Sequence, residues 1–394
     1  MQIKKLFQFF FIFVMAPSAM LWGTDLTFER QSIGTGIDGA SSVRAADMDL
    51  DGDIDIIHAS EEDHKITWRE NNGEESFTEH VITSSAIGAN TVLPMDMDQD
   101  GDMDIAAAIG GEYVGDGQYS GFKVAWYEND GNMNFTEYEI SSSTKRPVDV
   151  YVSDVDSDGD LDVISASGTQ ASQTDYIHWH ENDGNMNFTE HIVADLWNVS
   201  GCFAEDVDSD GDIDIIGAGY YGNEIVWYEN DGSENFTEHF VASVNLPTAV
   251  IADDLDRDGD MDLLSVNAEG NPNFSWYEND GNQSFTTHAL ANSPNSARAI
   301  VTGDIDNDGD TDVWAAADDY LLFFENDGSM NFTMNYICSG SDCEGAKDVF
   351  IYDLDSDGDL DVFGALHDSD EIIWLENTTD LAFESPIFVS HEIS

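Results

Sequence analysis

The chain has 394 residues, with 81 acidic side chains against 12 lysines and arginines and a formal charge of −69. That balance opposes binding to nucleic acid and to anionic lipid surfaces, neither of which is expected as a partner, and it favours solubility in salty surroundings. Residues 1–23 read as a secretory signal: Lys4 and Lys5, then the apolar run from Leu6 to Ala16, then small residues around Ala19 and Gly23. The run is too short for a permanent bilayer span, and nothing later in the chain is longer or more apolar. Residues 24–394 are therefore expected outside the cytoplasm, secreted or at the cell surface, without membrane insertion.

After a strand-like segment at 27–33, the string Asp-x-Asp-x-Asp-Gly-Asp-x-Asp occurs seven times, at intervals of 49, 58, 52, 48, 50 and 49 residues. The candidate metal ligands are Asp47, Asp49, Asp51, Asp53 and Asp55; Asp96, Asp98, Asp100, Asp102 and Asp104; Asp154, Asp156, Asp158, Asp160 and Asp162; Asp206, Asp208, Asp210, Asp212 and Asp214. They continue with Asp254, Asp256, Asp258, Asp260 and Asp262; Asp304, Asp306, Asp308, Asp310 and Asp312; and Asp353, Asp355, Asp357, Asp359 and Asp361. Aspartates at alternate positions surround one point only if the backbone coils tightly, which the glycine at the sixth position permits. Hard oxygen donors of this kind select calcium. The first, third, fifth and ninth side chains are expected to ligate, and the seventh residue to offer its main-chain carbonyl. An EF-hand is ruled out, because the ninth aspartate runs into strand-like sequence such as Asp55-Ile56-Ile57. Without a cation the crowded carboxylates repel one another, which links metal binding to folding. These loops hold 35 of the acids, leaving 46 against 12 bases, so acidity extends beyond them.

Downstream of each loop comes a second signature, Trp126-Tyr127-Glu128-Asn129-Asp130-Gly131 and then Asn134-Phe135-Thr136-Glu137 in its second copy. Asn-Asp-Gly supplies the left-handed residues of a tight hairpin. Each unit thus offers four short strands, and a period near 50 residues belongs to repeat architectures. The predicted fold is all-β: a seven-bladed β-propeller over residues 24–394, four antiparallel strands per blade and one aspartate-rich calcium loop per blade. One Trp or Phe per blade, inside a strand, is read as inter-blade core. Both 27–33 and the segment from Phe383 to Val389 resemble outer strands, so either terminus could close the last blade.

The distance from the ninth aspartate to the tryptophan position is 13, 22, 17, 13, 14, 11 and 13 residues, so blades two and three carry insertions. These fall on the rim opposite the aspartate loops. Candidate ligand residues there are Tyr113, Tyr119, Tyr176, Trp197, Tyr220 and Tyr221, since loops on a rigid scaffold commonly carry function. His80, His191, His239 and His288 share one repeat position and are read as structural, Cys202 as a buried core thiol, and Cys338 with Cys343 as a local disulfide.

With these loops and strands, the chain resembles the FG-GAP/VCBS-type calcium repeat propellers, which include the integrin α-chain head and many secreted bacterial repeat proteins. Phe363-Gly364-Ala365 is the best trace of the element that names the family. The resemblance implies that each loop joins the first and second strands of a blade and binds calcium. Integrin-like partner binding is not implied, because no residue here matches a ligand-contacting motif. The expected function is recognition or adhesion, directed at an extracellular glycan or a surface protein. Catalysis is not expected, a polysaccharide lyase or hydrolase and a passive surface scaffold being the alternatives.

Overall fold

The computed structural model describes residues 26–115, 118–168, 175–270, 272–291 and 296–379. The expected leader at 1–23 and the tail segment from Phe383 to Val389 lie outside the described residues. Seven four-stranded antiparallel sheets form the blades of a β-propeller, and a small extra hairpin, Glu112–Gly115 with Gln118–Ser120, makes up the insertion in blade two. The innermost strands are Ala40–Ala46, Ala89–Met95, Pro147–Ser153, Val199–Glu205, Pro247–Asp253, Ala297–Gly303 and Ala346–Tyr352. Each contacts the next, and the last contacts the first, so the ring is closed.

The amino-terminal strand decides how it closes. Phe28–Thr35 pairs antiparallel with Glu371–Asn377, setting Phe28 opposite Asn377, and so becomes the outer strand of blade seven. Blade seven is therefore built from both ends of the propeller sequence, and no sheet edge is left open between its first and last repeats.

Every second strand begins at the ninth aspartate of its loop and is buried along its whole length, as in Asp55–Ser60 and Asp262–Asn267. The apolar run after each loop exists for this reason: the strand is sandwiched between neighbouring blades and has no wet face. The repeated tryptophans are core, as expected. Trp179, Trp227 and Trp374 are 1% exposed or less. The indoles of Trp179 and Trp227 pack edge-on against Phe236 and Phe285, the first outer-strand residues of the next blades. Burying one indole contributes roughly 4–6 kcal/mol at ~25 cal/mol per Å².

The histidines of the shared repeat position cover the same rings. His80, His191, His239 and His288 stack on Trp68, Trp179, Trp227 and Trp276 at centroid distances of 4.4–4.6 Å. Their Nε2 atoms meet Glu70, Glu181, Glu229 and Glu278 at 2.6–2.7 Å. Cys202 is buried in an inner strand, and a disulfide joins Cys338 to Cys343 between blades six and seven.

The blades are stitched at one register position. Ser41 Oγ, Asn90 Nδ2, Ser200 Oγ and Thr248 Oγ1 donate to the main-chain carbonyls of Ala89, Pro147, Pro247 and Ala297, each the first inner-strand residue of the next blade, at 2.6–3.0 Å. Each donor is the second residue of its own inner strand.

Candidate metal loops and ligand face

Each acidic loop is coiled by its own carboxylates. The first aspartate accepts the amide of the sixth-position glycine through Oδ2 at 3.0–3.1 Å in all seven loops. The third aspartate accepts the amide of the fifth, and the fifth accepts that of the seventh, as in Asp49–Asp51 at 3.2 Å and Asp51–Asp53 at 2.9 Å. The glycine sits at φ of +98° to +99°, which only glycine adopts readily. The fourth residue is left-handed as well, although it is never glycine: Leu50, Gln99, Ser157, Ser209, Arg257, Asn307 and Ser356.

This coiling gathers oxygens without satisfying them. Ligand atoms of Asp47, Asp49 and Asp55 lie within 4.8 Å of one another, as do those of Asp96, Asp98 and Asp100, and the equivalent trios in loops three to five. In five loops the Oδ1 atom of the first aspartate, in Asp47, Asp96, Asp254, Asp304 and Asp353, is buried with no hydrogen-bond donor. In the other two, Asp154 and Asp206 accept the amides of Asp158 and Asp210 at 3.0 Å. An orphaned buried carboxylate oxygen is costly unless a cation compensates it, and a set made only of oxygens suits calcium or another hard ion.

The seventh aspartate lays its side chain against the glycine of the hairpin turn that follows the third strand. A Cβ on the turn glycine of blades one to six would fall 2.3–2.5 Å from an oxygen of Asp53, Asp102, Asp160, Asp212, Asp260 or Asp310. The glycine of Asn-Asp-Gly is thus needed for clearance as well as for its positive φ.

The ninth aspartate has a second duty that its place in the motif did not reveal. Asp162 is fully buried and takes three donors: the amides of Val155 at 3.1 Å and Asn182 at 2.7 Å, and the Trp179 indole at 2.9 Å. It locks the loop to the third strand, and the same asparagine amide reaches the ninth aspartate in every blade. That asparagine also grips the preceding blade, Asn230, Asn279 and Asn377 donating to the carbonyls of Val155, Val207 and Ile305.

Burial pushes the ninth carboxyls up, to about 6 for Asp55 and Asp104, about 7 for Asp162, Asp214, Asp262 and Asp361, and about 8 for Asp312. Without metal, a carboxyl raised above its unfolded value binds protons more tightly when folded. Its stabilisation is then full below about pH 4 and is lost as pH rises through 6 to 8. The expected result is that in metal-free buffer the melting temperature falls from pH 5 to pH 8. A melting temperature that rises over that range contradicts the assignment.

The opposite rim gathers the aromatic residues into two groups. Tyr113 and Tyr119 of the blade-two hairpin meet edge-on at 5.4 Å, and Trp197, Tyr221 and Tyr220 form a chain with centroids 5.7 and 5.0 Å apart. Tyr176 is separate, packed against His178. Tyr220 and Tyr221 line an axial channel of about 740 Å³, walled by the inner strands of all the blades. Sequence reasoning missed its basic lining, Arg44, Arg146, Arg298 and Lys347. Scarcity was the available signal, since the chain has only 12 such residues.

Ser165 Oγ lies 2.9 Å from His180 Nε2, and Glu190 lies 4.0 Å from the other ring nitrogen. Ser165 and His180 are fully buried, burial holds the imidazole neutral with its pKa lowered to about 3, and Glu190 is bound by Ser141 and Ser143. Ser165 and His180 are thus a packed polar pair, and Glu190 belongs to the exposed face of the outer strand.

A family model described as an FG-GAP-like repeat matches residues 47–107, 113–165, 154–216, 206–265, 254–315 and 304–364. No curated protein matches the sequence. Among solved structures the chain is similar to BBS1N in complex with ARL6DN, with a TM-score of 0.57 and 10% identity over 90% of this chain and 98% of that one. It is also similar to a functionally unknown protein from Desulfotomaculum acetoxidans, with a TM-score of 0.51 and 14% identity over 78% of this chain and 88% of that one. At these identities the likeness is one of fold.

Proposed function

This chain belongs to the FG-GAP-like repeat family, and from that premise we propose that it is a secreted, calcium-stabilised recognition module for an extracellular glycan or a surface protein. One observation carries the reading: the ring is regular on one rim and irregular on the other. The metal loops repeat in all seven blades, whereas the blade-two hairpin, the Trp197–Tyr221–Tyr220 chain and the basic channel lining each occur once. A binding site breaks a repeat; a scaffold keeps it. Secretion is supported by Lys4 and Lys5 followed by the Leu6–Ala16 run. Among the described residues, no helix is long and apolar enough to cross a membrane.

Calcium in this reading is structural, its loops holding the sheets at the far rim and leaving the opposite rim to the ligand. Trp197 is 43% exposed, a large apolar ring kept in solvent beside two tyrosines. Rings so placed offer flat faces to sugar C–H groups or to a protein surface. The test is a glycan array probed with the calcium-loaded protein and with a Trp197→Ala, Tyr221→Ala double variant. The wild type is expected to bind a related set of glycans, and the variant to lose at least about tenfold in affinity with little change in melting temperature. Undiminished binding by a folded double variant would remove the site.

A further inference from the structure

Second positions of the inner strands hold Ser41, Asn90, Val148, Ser200, Thr248, Arg298 and Lys347. Four of the small residues make the stitches between blades described above. Blades six and seven instead place cations there, at the end of the channel remote from the acidic loops. Arg298 pairs with Asp318 at 3.0 Å, and Lys347 pairs with Glu61. Arg146, just before the inner strand of blade three, adds a third cation at the same end. Its guanidinium donates to the Gly168 carbonyl at 2.6 Å and lies over the Tyr119 ring at 5.0 Å, and it makes no ion pair among the described residues. Deeper in the channel, Arg44 is held between Asp348 and the ring of Phe350.

The charge balance is local and close to neutral, unlike that of the molecule. Four cations, Arg44, Arg146, Arg298 and Lys347, line the channel with the acids Glu61, Asp149 and Asp348, and Asp318 pairs with Arg298 from beside it. Asp149 is already occupied, accepting the amides of Val150 and Cys202 at 3.0 and 3.2 Å. In a chain of net charge −69, a near-neutral channel mouth that carries cations repels an anion less than the acidic loops do. The channel, at about 740 Å³, is large enough for sugar residues, and Tyr220, Tyr221 and Arg298 all line it.

Resting on the recognition reading and narrowing it, we infer that the channel mouth is a subsite for an anionic sugar residue. Arg146, Arg298 and Lys347 hold its carboxylate or sulfate ester, and Tyr220 and Tyr221 face its ring. Guanidinium forks match both oxyanions, and a charge-assisted bond in a partly enclosed channel outweighs the same bond in open water.

Calorimetric titration of the calcium-loaded protein, at one calcium concentration throughout, tests this with a sulfated galactan hexasaccharide, its desulfated counterpart and a hexagalacturonate. At least one charged probe is expected to bind at least about tenfold more tightly than the neutral one, with affinity falling as sodium chloride rises. Binding of the sulfated probe alone assigns a sulfate ester, of the uronate alone a carboxylate, and of both a site that reads charge. Arg298→Gln and Arg146→Gln are each expected to lower affinity about tenfold, and Arg30→Gln, on the outer strand of blade seven, to leave it unchanged. If a variant fails to fold, the salt dependence of the wild type decides the point. Equal binding of the neutral probe, indifferent to salt, would overturn the anionic subsite and leave glycan recognition standing. A folded protein that binds none of these probes but binds neutral glycans on the array does the same; one that binds no glycan at all would sink the subsite and remove glycan from the recognition reading.

Discussion

Removing calcium is expected to lower the melting temperature by about 20 °C, and returning calcium to restore it. A site filled about 100-fold over its dissociation constant adds ~2.7 kcal/mol, and extracellular calcium modules have constants of roughly 10⁻⁴ to 10⁻³ M, so the effect is expected at ~10 mM calcium or above. Spread over the unfolding entropy of a chain this long, about 2.1 cal/mol/K per residue, seven such sites give the stated shift. Magnesium should restore little of it, because it dehydrates reluctantly and needs near-octahedral ligands. The orphaned Oδ1 atoms of Asp47, Asp96, Asp254, Asp304 and Asp353 are the physical reason to expect so large a term. A melting curve indifferent to chelation would dismiss structural calcium.

The second large effect separates the two kinds of aspartate in one loop. Asp162→Ala strands three buried donors, on Val155, Asn182 and Trp179, and should cost about 3 kcal/mol or more whether or not calcium is present. Asp156→Ala removes a candidate ligand that otherwise accepts only the exposed Asp158 amide. It should leave the metal-free protein nearly as stable and cost about 2.7 kcal/mol in saturating calcium, the contribution of one filled site. Denaturant titrations of both variants, with and without calcium, measure the difference. Equal costs for the two in metal-free buffer would show that the ninth aspartate is not a separate anchor.

What was legible in the sequence was what repeats locally. The alternate aspartates, the glycine between them and the buried second strand lie within about fifteen consecutive residues, so period and composition predict them. The tryptophan and its covering histidine were legible for the same reason. What stayed hidden depends on contacts that exist only once the ring closes. Phe28–Thr35 and the tail looked alike as outer strands, and pairing with Glu371–Asn377 distinguishes the first. Ser41 and Thr248 read as ordinary strand residues until the carbonyls of Ala89 and Ala297 are placed against them. Arg44 and Asp348 lie 304 residues apart, and nothing in their surroundings shows that they meet in one channel. Tyr113, Tyr119 and Tyr176 were singled out because insertions in blades two and three break the repeat, and Tyr220 and Tyr221 because they stand in the corresponding loop of blade four. Arg298 and Lys347 were missed because they replace a stitching residue without changing any loop length.

The most direct measurement is anomalous diffraction from crystals of the protein grown in calcium. One peak is expected in each of the seven loops, about 2.3–2.6 Å from the Oδ1 atom of the first aspartate and from an oxygen of the third. Loops that are ordered, coiled as described and filled only by water would contradict the account.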